Sequence, residues 1–296
     1  MFKDDLLKGH KILVTGGGTG LGRSMAEHFM RLGAEVVIWG RRGSVLDEAA
    51  AEMREATGGT CESMAVDIRN AGAIDEAMEA IFATGPLTGL VNNAAGNFIS
   101  RTEDLSANAF NAIASIVAHG TFNTTVAAGK RWIEGGHKGN ILSIVTTWIW
   151  TGGPFTVPSA MSKAGIAAMT QSLAVEWGPK RIRANAIAPG PFPTKGAWDR
   201  LMPEPAMAKL GGGSLGTDSI PLRRMGEHRE LANLAAFLMS DGCAYLTGAV
   251  IPIDGGQYLS SGGNFHALTQ LDDNDWGMIR ESIRTSNAAD RAKRTT

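Results

Sequence analysis

The chain has 296 residues, 44% of them hydrophobic, and a formal net charge of -1. That length suits one large core better than two small ones, and the near-zero charge gives no electrostatic case for nucleic acid or an anionic membrane surface as partner. Cys61 and Cys243 form no CxxC pair and fit buried thiols in a reducing compartment, while the six histidines lack metal-ligand spacing, so no metal site is expected.

In chain order, Lys11 to Thr15 reads as a short buried strand, and Gly16 to Gly22 as a glycine-rich turn. Arg23 to Leu32 has helical spacing with Met25, Ala26, Phe29 and Met30 on one side, and Gly33 ends it. A strand follows over Glu35 to Trp39, a helix over Leu46 to Thr57, a strand over Cys61 to Val66 and a helix over Ile74 to Ala83. A fourth strand begins at Gly89, and the long stretch Asn108 to Trp132 suits one helix. Then come a strand (Asn140 to Thr146), a helix (Ser159 to Trp177), a strand (Arg183 to Ala188), a helix (Glu230 to Met239) and a last strand (Val250 to Ile253). Strands alternating with helices predict an α/β fold, a Rossmann-type doubly wound parallel sheet in a single domain. That domain is read as residues 1–259, with 195–221, rich in Gly, Pro and Met, as a lid. Residues 260–296 are read as a C-terminal extension with one helix over Asp275 to Arg284. The start, Met1-Phe2-Lys3-Asp4-Asp5, is too charged for a signal peptide. No apolar run approaches the ~20 residues of a membrane helix, and Arg294-Thr295-Thr296 is not a peroxisomal tag. No membrane partner and a cytoplasmic location are expected.

The turn Thr15-Gly16-Gly17-Gly18-Thr19-Gly20-Leu21-Gly22 lies between a strand and a helix. Glycines there admit backbone close to a pyrophosphate, and the helix N-terminus supplies N–H groups and positive dipole. Gly16, Thr19, Gly20, Leu21 and Gly22 are therefore cofactor candidates. The second strand ends in Trp39-Gly40-Arg41-Arg42. The acidic residue that would bind the ribose hydroxyl of NAD is missing, and an arginine suits the 2′-phosphate of NADP(H), Arg41 being the better placed. The alternative for the two arginines is a solvated surface pair. Asp67, followed by Ile68, is a candidate for the adenine amino group or, alternatively, a helix N-cap.

These residues resemble the short-chain dehydrogenase/reductase family. The matching segments are Thr15 to Gly22, Asn92-Asn93-Ala94-Ala95-Gly96, Ser159-x-x-x-Lys163, Asn185-x-x-x-Pro189-Gly190 and Asp254-Gly255-Gly256, in family order over roughly residues 9–258. Within the family the chain looks most like the 2,4-dienoyl-CoA reductases, through Asn93 to Ser100, Pro158-Ser159-Ala160, Ala188 to Pro191 and Glu230 to Leu238. The resemblance implies that Asn92, Ala94 and Gly96 line the adenosine and ribose, and that Pro189, Gly190, Phe192 and Thr194 hold the nicotinamide end. It places Asn97, Phe98 and Trp148 at the substrate pocket and implies NADPH as cofactor, an acyl thioester as small-molecule substrate, and a homotetramer.

The family's tyrosine, four residues before Lys163, is here Ser159. A ketone reductase needs a proton donor whose acidity a nearby lysine has raised, and serine is far too weak an acid for that. Hydride addition to a conjugated dienoyl thioester needs only hydrogen-bond donors for the charge that collects on the thioester oxygen, and water can protonate carbon later. Lys163 is expected at the cofactor ribose, or as a plain surface lysine. Where the resembled reductases hold the oxygen with tyrosine and asparagine, this chain carries Trp148 and His119. His119 is read either as donor and acid or as a core histidine satisfied by backbone. Thr146 is read as a donor to the substrate oxygen or a strand-end cap. The alternatives to a dienoyl-CoA reductase are a carbonyl reductase using His119 and a catalytically weak NADP-binding protein.

Overall fold

The computed structural model describes residues 2–194 and 217–260, with 272, 274, 275 and 278 beyond them. The expected lid therefore falls outside the described residues over 195–216, as does most of the helix expected at 275–284.

The chain alternates strand and helix: β1 Lys11–Thr15, α1 Gly20–Arg31, β2 Glu35–Gly40, α2 Gly43–Thr57, β3 Cys61–Ala65, α3 Ala71–Ala83 and β4 Gly89–Asn92. Then follow α4 Ala107–Ala114, a π-helical turn Ser115–His119, α5 Gly120–Glu134, β5 Gly139–Ile144, α6 Trp148–Thr151, α7 Val157–Glu176, β6 Ile182–Pro189, α8 His228–Met239 and β7 Val250–Ile253. Among the described residues, seven strands pair in parallel in the order β3-β2-β1-β4-β5-β6-β7. This is the doubly wound Rossmann-type sheet expected. The order reverses between β1 and β4, and the crevice at that switch point, beyond the strands' carboxyl ends, is where such sheets take ligands.

Both faces of the sheet are covered, so its strands read as unbroken apolar runs. Alternation along β1 sends Ile12 and Val14 to one face, against Met25 and Phe29 of α1 and Leu231 and Ala235 of α8. Leu13 goes to the other, with Ile74 and Met78 of α3 and Trp132 of α5. A third cluster gathers Ile113, Val117, Val145 and Ile166 where α4, the π turn and α7 meet β5. Cys61 and Cys243 are free and buried.

Helix starts run earlier than the periodicity predicts. α1 begins at Gly20 and not Arg23, and α3 at Ala71, where Asn70 Oδ1 caps the N–H of Ala73. Asn70 is thus the cap that Asp67 was a candidate for. The single helix expected over Asn108 to Trp132 is corrected: a π turn at Ser115–His119, which hydropathy spacing cannot reveal, interrupts it. β5 stops at Ile144, leaving Thr146 beyond the strand. No helix among the described residues is long and apolar enough to cross a membrane.

By contact pattern, residues 1–258 form one unit and 259–296 a second. In the second, Asp272 Oδ1 accepts from the N–H groups of Asn274 and Asp275.

Candidate active site

The glycine turn leaves β1 at the switch point. Gly16 and Gly20 sit at φ +67° and +55°, the left-handed region open to glycine. A Cβ on Gly17 would stand 2.5 Å from Ile38 Cγ2, and one on Gly22 would collide with Asn93 Nδ2 and the Gly16 carbonyl. The turn is pressed against β2 and β4 and runs into α1, where Thr19 at the N-cap makes no side-chain capping bond. Gly16 and Gly17 N–H both donate to the Trp39 carbonyl, so the cradle's open side is the first turn of α1, whose N–H groups have no intrahelical partner and sit at the positive end of the helix, a fit for a dinucleotide pyrophosphate.

Asn93, absent from the predicted site, secures this cradle. Its Nδ2 donates to the carbonyls of Thr15 (3.0 Å) and Gly16 (3.3 Å). Thr15 Oγ1 in turn accepts from the N–H groups of Asn93 (3.0 Å) and Ala94 (3.1 Å). Asn92 is buried and donates to Thr125 Oγ1 of α5 at 2.9 Å. Through Nδ2 the side chain joins strand to helix, the sheet-stabilising role, while its buried Oδ1 has no hydrogen-bond partner among the described residues. Gly96 passes close to the π turn, where a Cβ would meet Ile116 Cδ1 at 3.3 Å.

Arg41 and Arg42 are exposed just past β2. Among the described residues Arg41 makes no ion pair, and its charge reaches Asp67. The Asp67 carboxylate is occupied by Arg69, whose Nε lies 2.9 and 3.0 Å from its two oxygens, and this grip holds the carboxyl below the usual range. Ile68 is buried against Gly120, where a Cβ would meet Ile68 Cδ1 at 2.6 Å.

On the other side of the crevice, the chain leaves β6 at Pro189 and bends back. Gly190 lies so close to Asp254 that a Cβ would stand 2.5 Å from that residue's Cβ. Phe192 is buried against Gly226, and Thr194 Cγ2 would be 3.5 Å from a Cβ on Gly20. Thr194 and the glycine turn therefore meet in space although about 170 residues apart in sequence.

α7 carries Ser159 and Lys163 one turn apart on one buried face, with exposures of 5% and 6%. Burial excludes the surface-lysine alternative. Lys163 Nζ donates to the Ile144 carbonyl at the end of β5, and burial lowers its pKa to about 8. Ser159 Oγ makes no hydrogen bond among the described residues, so its hydroxyl is available. Thr146 is half-buried, and its carbonyl accepts from Ile149 N–H at the start of α6. Trp148 opens that short helix, half-buried over Gly153, where a Cβ would meet its Cγ at 3.0 Å.

His119 ends the π turn, which packs against α7. Its side chain is exposed, which removes the core-histidine alternative. Single π turns inside helices recur at functional sites. Asn97 accepts from the N–H of Phe98 at 2.9 Å, fixing its own loop, and Phe98 rests on the third cluster. Ser100 N–H donates to the Phe155 carbonyl at 2.9 Å, tying this loop to the 152–156 loop, where Phe155 takes a left-handed φ of 63°. Strain of that kind in a non-glycine residue gathers at functional loops.

The family model described as Enoyl-(Acyl carrier protein) reductase matches residues 16–257. A Caenorhabditis elegans protein named probable 2,4-dienoyl-CoA reductase [(3E)-enoyl-CoA-producing] is 42% identical over 99% of this chain and 95% of its own. A Bacillus subtilis protein named probable 2,4-dienoyl-CoA reductase [(2E)-enoyl-CoA-producing] is 42% identical over 84% of this chain and 96% of its own. Among solved structures, a short chain dehydrogenase from Bacillus anthracis superposes with a TM-score of 0.77 at 42% identity, covering 87% of this chain and 100% of that one. A structure from Agrobacterium tumefaciens with bound NADP, named for 2-deoxy-D-gluconate 3-dehydrogenase, gives 0.77 at 30% identity, over 87% of this chain and all of its own.

Proposed function

The chain belongs to the short-chain dehydrogenase/reductase family, and on that footing we propose that it is an NADPH-dependent reductase of 2,4-dienoyl-CoA or a closely related unsaturated acyl-CoA. The observation that carries this reading is the pair on α7: a buried lysine kept in place beside a buried serine where the family's acid tyrosine would stand. A site so equipped suits a reaction that needs charge stabilisation and no strong side-chain acid.

In this proposal NADPH, when bound, supplies the hydride. The glycine turn from Gly16 to Gly22 receives its pyrophosphate, Arg41 its 2′-phosphate and the backbone of the Asp67–Ile68 corner its adenine, the Asp67 carboxylate staying on Arg69. Lys163, already aimed at the open end of β5, takes the nicotinamide ribose hydroxyls. Thr146, Ser159 and His119 donate to the thioester oxygen as charge develops there, and Trp148 and Phe98 wall off water from the acyl chain. A homotetramer is part of the proposal; Phe122 of α5 and Val175 of α7, 55% and 80% exposed, give those helices apolar surface to bury.

The test is NADPH oxidation by purified protein with a short 2,4-dienoyl-CoA, beside the matching 2-enoyl- and 3-ketoacyl-CoA. Turnover confined to the dienoyl substrate is the expected result; turnover with the ketoacyl substrate alone, or none, rejects the assignment. The exposure of His119 favours one second reading, a carbonyl reductase with imidazole as the acid. Ketoacyl turnover that disappears in His119→Ala would select it.

A further inference from the structure

α8 begins beside the glycine turn, and its first residue makes contacts that no part of the proposed chemistry uses. His228 Nε2 lies 2.7 Å from the Pro193 carbonyl, and Nδ1 lies 2.7 Å from Ser24 Oγ in the second turn of α1. The carbonyl can only accept, so Nε2 must carry hydrogen; in the neutral ring Nδ1 then accepts from the Ser24 hydroxyl. Ser24 Oγ is also 3.2 Å from the Gly20 carbonyl, an alternative acceptor for the one hydroxyl hydrogen that here goes to Nδ1. One imidazole thus spans the gap between the helix that grows out of the glycine turn and the loop that leaves β6. The residue after Pro193 is Thr194, whose methyl group is the neighbour of Gly20.

The segment is held from a second side. Gly226 N–H donates to the Pro191 carbonyl at 3.1 Å, and Gly226 has no room for a Cβ because the Phe192 ring fills that space. α8 itself is anchored by a reciprocal capping box between Glu227 and Glu230, with Arg224 on Glu230 at 2.6 and 2.7 Å. The imidazole therefore projects from a fixed helix start onto that loop.

We propose that His228 is a positioning residue for the nicotinamide half of the cofactor: by bridging Ser24 and the Pro193 carbonyl it holds the Pro193–Thr194 turn over Gly20. This rests on the NADPH reading above and goes beyond it, since His228 lies outside every motif by which the family was recognised. It also makes a distinction that a general loss of folding would not. The adenosine and pyrophosphate meet the glycine turn, Arg41 and the Asp67 corner, none of which His228 touches.

Calorimetric titration of the purified full chain with NADPH and with 2′-phospho-ADP-ribose, which has the adenosine half and pyrophosphate but no nicotinamide, reads that distinction directly. His228→Ala is expected to weaken NADPH by about tenfold, the loss of one to two hydrogen bonds, and to leave 2′-phospho-ADP-ribose within about twofold. His228→Gln, whose amide can donate to Pro193 and accept from Ser24, is expected to recover most of the NADPH affinity. Ser24→Ala should show the same selectivity at smaller size and carries the test if His228→Ala is insoluble. NADPH affinity equal to the parent's, equal losses for both ligands, or a glutamine variant no better than alanine would each overturn the assignment. A parent protein that binds 2′-phospho-ADP-ribose and NADPH equally well rejects a His228 role while keeping the cofactor reading. One that binds neither rejects both.

Discussion

Replacing Lys163 by methionine removes a buried ammonium and keeps the length of its stem. Burial holds Lys163 at about 8, against 10.5 for an ordinary lysine. At about 1.4 kcal/mol per pH unit, keeping that charge inside costs the native state about 3 kcal/mol at neutral pH. Below pH 8 the native and unfolded chains both hold the proton, and the whole cost is present. From about 8 to 10.5 the unfolded chain holds more protons than the native one, so stability rises with pH. Above 10.5 both amines are neutral and the penalty is gone. The substitution also strands the Ile144 carbonyl, a loss of about 1 to 2 kcal/mol. Lys163→Met should therefore be more stable than the parent by about 1 to 2 kcal/mol at pH 7, with the advantage vanishing or reversing by about pH 10. Urea unfolding of both proteins at pH 7, 8, 9 and 10 measures this. A difference that stays constant over that range, or a variant less stable at pH 7, would refute the reasoning. Turnover should be lost in the same variant, so stability and activity are expected to move in opposite directions at one residue.

Three other changes separate the parts of the site. Arg41→Ala should raise KM for NADPH by about tenfold or more, the worth of a charge-assisted phosphate contact, while leaving KM for NADH unchanged; equal effects on both would remove Arg41 from the 2′-phosphate. His119→Ala should lower kcat with the dienoyl substrate by about tenfold through loss of one oxyanion donor among several, with melting temperature unchanged because the ring is exposed; an unaltered kcat would take His119 out of the chemistry. Gly22→Ala forces a methyl group into Asn93 and the Gly16 carbonyl, which should cost about 2 kcal/mol or more of stability and abolish nucleotide binding; a variant that melts and binds like the parent would show that the cradle is looser than described.

Much of the scaffold can be read from residue order because burial on both faces makes each strand an apolar run: Ile12-Leu13-Val14 and Val36-Val37-Ile38 admit few other readings. The glycine turn was legible for a similar reason, since Gly16 and Gly20 carry a backbone angle that other residues avoid. What sequence reading missed depends on groups brought together from far away. Asn93 looks like the twin of Asn92, and only the fold shows that one holds the turn and the other α5. The π turn leaves no trace in hydropathy, because one extra residue per turn displaces Ile116 and His119 without altering which residues are apolar. His228 stands at a helix start where a side chain normally faces water; its partners, Ser24 and Pro193, lie 204 and 35 residues away. Asp67 illustrates the converse. Its placement at the end of a strand was readable, but Arg69, two residues on, already takes both carboxylate oxygens.

The position of β1 at the middle of the sheet bears on how the chain is made. β1 pairs with β2 as soon as residue 40 is available, but its other neighbour, β4, begins only at Gly89. At 5–20 residues per second of synthesis, that leaves a half-sheet with Ile12, Leu13 and Val14 along an open edge for roughly 2.5 to 10 seconds. An unpaired apolar edge is a template for other chains. Lesions in β4 are thus expected to surface first as lost soluble yield on the ribosome's timescale, before any change could be seen in the finished protein's melting curve.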